Sequence, residues 1–146
     1  VYKRQRLRGK YEKQVTQKAV KDVVFTGYVG YNELPWYYKT ADIFCAPATG
    51  CESFGIVLLE AMALGKPIIA SNIDGYASVV AHGVEGVLVP PKDSRMLTQA
   101  LLSLMTDEKL RQQIGAKGKV KAKDYSWQQI ARRIHNYYIN VLEKSS

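Results

Sequence analysis

Two apolar runs lie close together, residues 43–47 and 54–64, and they constrain the fold more than any other feature of the chain. The first, Ile43-Phe44-Cys45-Ala46-Pro47, is short and reads as a buried strand. The second is too long and too apolar for anything but a buried helix. Between them lies a loop that carries Gly50, Cys51, Glu52 and Ser53, so the unit is strand, loop, helix. The pattern recurs: residues 66–71 and 86–89 read as further strands, and 23–26 as an earlier one. Helices are expected over 7–20, 33–40, 54–64, 76–81, from Asp93 or Ser94 to Met105, over 107–123 and over 126–143. Asn32 can N-cap the second of these, with Pro35 tolerated in its first turn, while Gly65 followed by Pro67 stops the helix over 54–64. Alternating short strands and helices predict an α/β chain, a Rossmann-like parallel sheet with helices on both faces and ligands at the carboxyl ends of its strands. Loops 27–31, 48–53 and 72–75 all follow strands, so one cleft can be lined by all three.

That cleft would hold a carboxylate pair. Glu52 sits in the loop and Glu60 inside the helix, with seven residues between them. Glu60 is the only charge between Ser53 and Gly65, and an ionised carboxylate on a buried helix is costly unless paired or hydrogen-bonded. A ligand hydroxyl is one candidate partner. Backbone N–H groups at Phe54, Gly55 and Ile56 would point out of the helix N-terminus, where unpaired donors and the helix dipole attract phosphate or sugar oxygens. Gly55 would let a ligand approach the backbone closely. A plainer reading stays open for each acid alone: Glu52 as a helix N-terminal acid, Glu60 as the exposed face of an amphipathic helix.

The formal charge of +8 is unevenly placed: residues 1–21 hold eight Lys or Arg against Glu12 alone, and the rest of the chain is nearly balanced. Such a start can face anionic lipid or phosphate, although a charge run is more often a solvated face. Val1-Tyr2-Lys3-Arg4-Gln5 resembles translated sequencing-adapter sequence, which predicts foreign residues fused to a truncated reading frame. At 146 residues the chain is one domain's worth, with no signal peptide and no apolar run of membrane-spanning length. Cys45 and Cys51 read as one small buried residue and one loop residue in a reducing cytosol, and two cysteines and two distant histidines make no metal site. Trp127, Ile130, Ile134, Tyr137, Tyr138, Val141 and Leu142 form one apolar stripe at helical spacing, for which an ordinary core-facing helix is the simplest account. Lys117, Lys119, Lys121 and Lys123 alternate and would spread around a solvated helix.

The stretch Ala46-Pro47-Ala48-Thr49-Gly50-Cys51-Glu52-Ser53-Phe54-Gly55-Ile56-Val57-Leu58-Leu59-Glu60-Ala61-Met62-Ala63-Leu64-Gly65-Lys66-Pro67 resembles, almost residue for residue, the E-x7-E segment of retaining family-4 glycosyltransferases of GT-B fold. The resemblance continues through Ile68-Ile69-Ala70-Ser71, Asp74-Gly75 and His82-Gly83-Val84-Glu85-Gly86-Val87-Leu88-Val89-Pro90. Backward it reaches Ala41-Asp42 and Val24-Phe25-Thr26-Gly27. Cys45-Ala46-Pro47 and Ser71-Asn72-Ile73-Asp74 look most like the phosphatidylinositol mannosyltransferases, which use GDP-mannose.

The resemblance implies most of the C-terminal, donor-binding domain of a GT-B glycosyltransferase. Residues 1–22 would be a basic, partly foreign segment with the first helix, and 23–146 a nucleotide-sugar binding domain truncated at its N-terminal side. Val29, Gly30 and Tyr31 would hold the base, although Val29 can equally be a strand-end core residue. Glu60 would bond the ribose hydroxyls. Glu52, the residue assigned to catalysis, would bond the donor-sugar hydroxyls, with Ser53 and the backbone around Phe54, Gly55 and Ile56 taking sugar or diphosphate. The implied reaction is hexose transfer with retention to a lipid or glycan acceptor. It needs no cofactor beyond the nucleotide-sugar substrate, and a divalent metal would have no protein site. The chain departs from the pattern in two ways: the basic residues and Gly-rich strand expected ahead of Leu7 are not recognisable, and the acceptor-binding N-terminal domain is missing. Arg6, Arg8 and Lys10 do not occupy matching positions. The implied protein is cytoplasmic, peripheral on the inner membrane face, without a nucleic-acid partner, and inactive as this half alone; in the family the last helix packs back across the domain junction. Other readings are a GT-B epimerase or phosphorylase, or a basic non-enzymatic module for lipid or nucleic acid.

Overall fold

The computed structural model describes residues 7–144, so the adapter-like Val1-Tyr2-Lys3-Arg4-Gln5 lies outside the described residues. The chain divides into two compact units, residues 1–30 and 31–146.

In the first unit, α1 (Arg8–Gln17) buries none of its side chains. The Arg8 guanidinium ties this helix to the segment that follows: it pairs with Glu12 at 2.6 Å, donates to the Phe25 carbonyl at 3.4 Å and lies 5.9 Å from the Phe25 ring centroid. The chain turns through Ala19 and Asp22, both at positive φ, and no strand forms over 23–26. That corrects the expectation from sequence. A β-prone run becomes a strand only where another strand offers its edge, and every ladder among the described residues lies between 44 and 89.

The second unit runs α2 (Leu34–Thr40), β1 (Phe44–Ala46), α3 (Ile56–Ala63), β2 (Ile68–Ser71), α4 (Asp74–Ala77), β3 (Gly86–Val89), α5 (Ser94–Thr106), α6 (Glu108–Ala122), a 3-10 turn (Lys123–Tyr125) and α7 (Trp127–Lys144). The three strands pair in the order β1-β2-β3, all parallel, with Phe44 opposite Ile68 and Ile68 opposite Gly86. Strand β2 is central, and its side chains alternate between two cores, as a period of two requires. Ile68 and Ala70 pack with Tyr38, Leu58, Ala61, Met62, Tyr76, Val79 and Val80. Ile69 packs on the other face with Val89, Ala100, Leu104 and Ile114. Both faces are therefore covered by helices, as expected for a parallel sheet.

Helix boundaries follow local chemistry. Asp93 and Asp107 cap α5 and α6 by accepting from the Met96 and Leu110 N–H groups, each at 2.9 Å. Helix α2 is capped by Glu33 rather than Asn32 and carries no side-chain cap bond. Helix α3 begins at Ile56, later than expected, because Gly55 takes a left-handed conformation at φ +76°. The expected helix over 76–81 forms earlier, as α4, because Tyr76 and Ala77 N–H groups both bond to the Ile73 carbonyl. Two further expectations change on burial. Helix α3 buries only Leu58, Ala61 and Met62, leaving Ile56 at 63% exposure, and α7 buries no residue at all, with Trp127 at 85%. Lys121 is not simply solvated: it reaches the buried Glu85 carboxylate at 3.3 Å, which also accepts from the Ala81 N–H. Among the described residues no helix is long and apolar enough to cross a membrane.

Candidate functional site

The loops that leave β1 and β2 meet at the carboxyl ends of the strands and enclose an open cavity of about 640 Å³. Gly50, Cys51, Glu52 and Ser53 line it from the first loop, Asn72, Ile73 and Asp74 from the second. The loop bends through two residues at positive φ, Gly50 at +151° and Cys51 at +63°. Its closeness to α4 depends on Gly75, because a Cβ there would collide with the carbonyl groups of Glu52 and Ser53. The Asp74-Gly75 pair thus seats one wall of the cavity against the other.

Gly55 has a structural role in addition to any approach of a ligand. It is buried, and a Cβ at that position would meet the Tyr76 ring at 2.6 Å. Helix α3 then starts without a side-chain cap, and among the described residues only the Leu58 N–H of its first three is satisfied, by the Gly55 carbonyl at 2.9 Å. Donors ahead of it remain available to an anion. The Tyr76 phenol lies inside the same structure; burial, and then the nearby Glu52 charge, push its pKa up. Glu52 is itself exposed.

The second carboxylate faces a different opening. Glu60, with Phe54, Ile56 and Leu59, lines an apolar groove of about 720 Å³ closed by Lys119, Tyr125 and Trp127 among others. Phe54 turns into that groove and packs tilted on the Tyr125 ring, centroids 5.8 Å apart. Glu60 is half-buried, and its partner is a side chain the sequence did not mark: Tyr38 Oη donates to Glu60 Oε2 at 2.7 Å. Twenty-two positions separate the two, and no local pattern announces such a pair. Tyr76 was also missed, although it directly follows the Asp74-Gly75 that the sequence singled out.

Of the residues expected at the site, Glu52 and Ser53 come together in the cavity, and Phe54, Ile56 and Glu60 in the groove. Gly55 lies between, in the core. Tyr31 opens the second unit, 85% exposed, whereas Val29 and Gly30 belong to the first unit and are described with it. Among the described residues no three His, Cys, Asp or Glu side chains gather as metal ligands.

The chain superposes on sucrose-phosphate synthase from Thermosynechococcus elongatus with a TM-score of 0.83 at 30% identity, over 94% of this chain and 35% of that one. The Anabaena protein HepE, solved in complex with UDP-glucose, gives 0.80 at 26% identity, over 92% and 38%. In sequence, the phosphatidyl-myo-inositol mannosyltransferase of Mycobacterium leprae is 38% identical over 138 residues, 92% of this chain. The chain spans 37% of that relative's length. The structural neighbours are GT-B glycosyltransferases, and the three-stranded parallel sheet with helices on both faces is the α/β architecture they share with it. Residues 5–121 match the family described as glycosyl transferases group 1, and the chain belongs to that family.

Proposed function

We propose that this chain is the donor-binding part of a retaining glycosyltransferase that moves a hexose, mannose from GDP-mannose, onto a lipid or glycan acceptor. The observation that carries this reading is the cavity at the carboxyl ends of β1 and β2, where Glu52 and Ser53 stand beside the uncapped start of α3. A carboxylate accepts hydrogen bonds from sugar hydroxyls, and unpaired backbone donors with the positive end of a helix dipole suit a diphosphate. Glu52 then orients the sugar, and the backbone at Phe54, Gly55 and Ile56 takes the diphosphate. Glu60 grips the ribose, and Val29, Gly30 and Tyr31 hold the base. Donors aimed at the departing diphosphate stabilise the charge that develops as the sugar leaves.

The likeness to a phosphatidyl-myo-inositol mannosyltransferase supports the mannosyl donor and a lipid acceptor, and the charge of the basic first segment supports peripheral placement at an anionic membrane face, the inner one in this reading. Residues 23–146 form the donor domain in this reading, and an acceptor domain completes the cleft. Holding the reacting carbon between two domains, away from water, accounts for several kcal/mol of barrier lowering that this part alone does not supply. A UDP-hexose donor is the second reading, favoured by the structural likeness to HepE in complex with UDP-glucose.

The test compares the full-length protein with residues 1–146 on labelled GDP-mannose and UDP-glucose, with a membrane-lipid acceptor and product anomers read by NMR. Transfer of mannose with retained configuration by the full-length protein alone is expected. Transfer only from the UDP-sugar overturns the mannosyl assignment, an inverted product overturns retention, and robust transfer by residues 1–146 overturns the division of labour.

A further inference from the structure

Tyr38 lies in α2 with its ring in the core that also holds Leu58, Ala61 and Met62 of α3, and it packs tilted on the Phe44 ring, centroids 5.3 Å apart. The residue is 8% exposed, so its packed ring restricts where the hydroxyl can lie. That hydroxyl donates to Glu60 Oε2 at 2.7 Å. Burial first, and then the hydrogen bond and charge of Glu60, push the phenol pKa up, so the tyrosine keeps the proton it donates. Among the described residues no other hydrogen bond or ion pair reaches the Glu60 carboxylate, and it lines the open groove rather than the core.

A glutamate side chain rotates about three bonds, and a grip on a vicinal diol requires those rotations to be arrested before the ligand arrives. One anchored oxygen arrests them while leaving the other to accept. We propose that Tyr38 is a positioning residue for nucleotide recognition: by holding one oxygen of Glu60 it presents the other to the ribose diol of a nucleoside diphosphate. This rests on the assignment of Glu60 to the ribose made above. A bond that merely fastened α2 to α3 would affect stability and leave the preference for a ribose unchanged.

That preference is the quantity to measure. Full-length protein carrying no substitution, Tyr38→Phe, Glu60→Gln or both is titrated calorimetrically with GDP and UDP and with their 2′,3′-dideoxy counterparts. The ratio of ribo to dideoxy affinity is independent of the fraction folded, and Tyr38→Phe keeps the core ring. Glu60→Gln is expected to collapse the ratio, Tyr38→Phe to lower it by ~3- to 10-fold, the scale of a weakened charge-assisted hydrogen bond, and the double variant to match Glu60→Gln. A Tyr38→Phe ratio equal to that of the unsubstituted protein, or strictly additive effects in the double variant, overturns the positioning role while the Glu60 assignment stands. A ratio unmoved by Glu60→Gln, or no binding of either diphosphate, overturns the ribose assignment and the inference with it.

Discussion

Gly75→Ala should deform the cavity from its wall. Gly75 is buried in α4, and a Cβ there would stand 2.8 Å from the Glu52 carbonyl carbon, 2.9 Å from that of Ser53, and closer still to the Glu52 carbonyl oxygen. These are backbone atoms, which cannot rotate aside as a side chain can, so either α4 or the loop carrying Glu52 must shift. Overpacking of this kind costs about 1–3 kcal/mol. With a urea m-value of ~1–3 kcal/mol/M, the unfolding midpoint of the 146-residue chain should fall by roughly 1 M at unchanged m. Gly9→Ala is the matched control: Gly9 lies in α1 with nothing within 4 Å of its added Cβ, and alanine in a helix is favoured by up to ~1 kcal/mol over glycine. In the full-length protein Gly75→Ala should also weaken donor-sugar binding, because Glu52 moves with the displaced loop. A Gly75→Ala midpoint indistinguishable from that of the unsubstituted chain would refute the close packing of the two walls.

Three further outcomes are expected. Glu60→Gln should weaken nucleotide binding by ~1–3 kcal/mol, the range for a lost hydrogen bond to a charged group, and an unchanged Kd would make Glu60 an ordinary structural acid. Glu52→Ala should depress kcat/KM of the full-length enzyme while sparing plain GDP binding; equal losses in both would take Glu52 away from the sugar. Tyr38 and Tyr76 both have pKa values raised in the folded state, so their contribution is intact below the ordinary tyrosine value of about 10 and is lost as pH rises through the folded values. Urea midpoints should therefore fall between about pH 10 and 11.5, less steeply in Tyr38→Phe; midpoints that hold or rise there contradict the buried phenols.

The three strands of the sheet were legible because each is a short apolar run between polar loops, and Gly86–Val89 was located to the residue. The Asp93 cap was legible, as an alternative to Ser94, for a local reason, a side chain reaching a backbone N–H three residues on; Asp107 makes the same bond, though the sequence pattern marks it only as the first residue of its helix. What failed needed distant information. Residues 23–26 have the composition of a strand and no ladder; the left-handed turn at Gly55 that delays α3 lies against the Tyr76 ring, a neighbour twenty-one positions away that leaves no room for a Cβ. The apolar stripe of α7 has the periodicity of a core helix and yet buries nothing, because periodicity records amphipathicity and not what covers the face. Glu52 and Glu60 were singled out from spacing and chemistry as a pair in one cleft; that they line two openings, and that the Tyr38 hydroxyl meets Glu60, was not legible, since both depend on how α2 and α3 pack.

The parallel register also orders the folding reaction in time. Phe44 waits for Ile68, and Ile68 for Gly86, so each pairing closes a loop on the order of twenty residues, and closure entropy rises only with the logarithm of that length. Parallel neighbours cannot zip through a tight hairpin; each ladder forms only as its crossover collapses onto the sheet. Strand β2 belongs to both ladders and both cores, which makes it the shared template on which either half can nucleate. During synthesis β1 and α3 leave the ribosome before that template exists, so the apolar face of α3, which packs on Tyr38 and Ala46 and also on Ile68 and Ala70, has only part of its cover until residues 68–71 emerge.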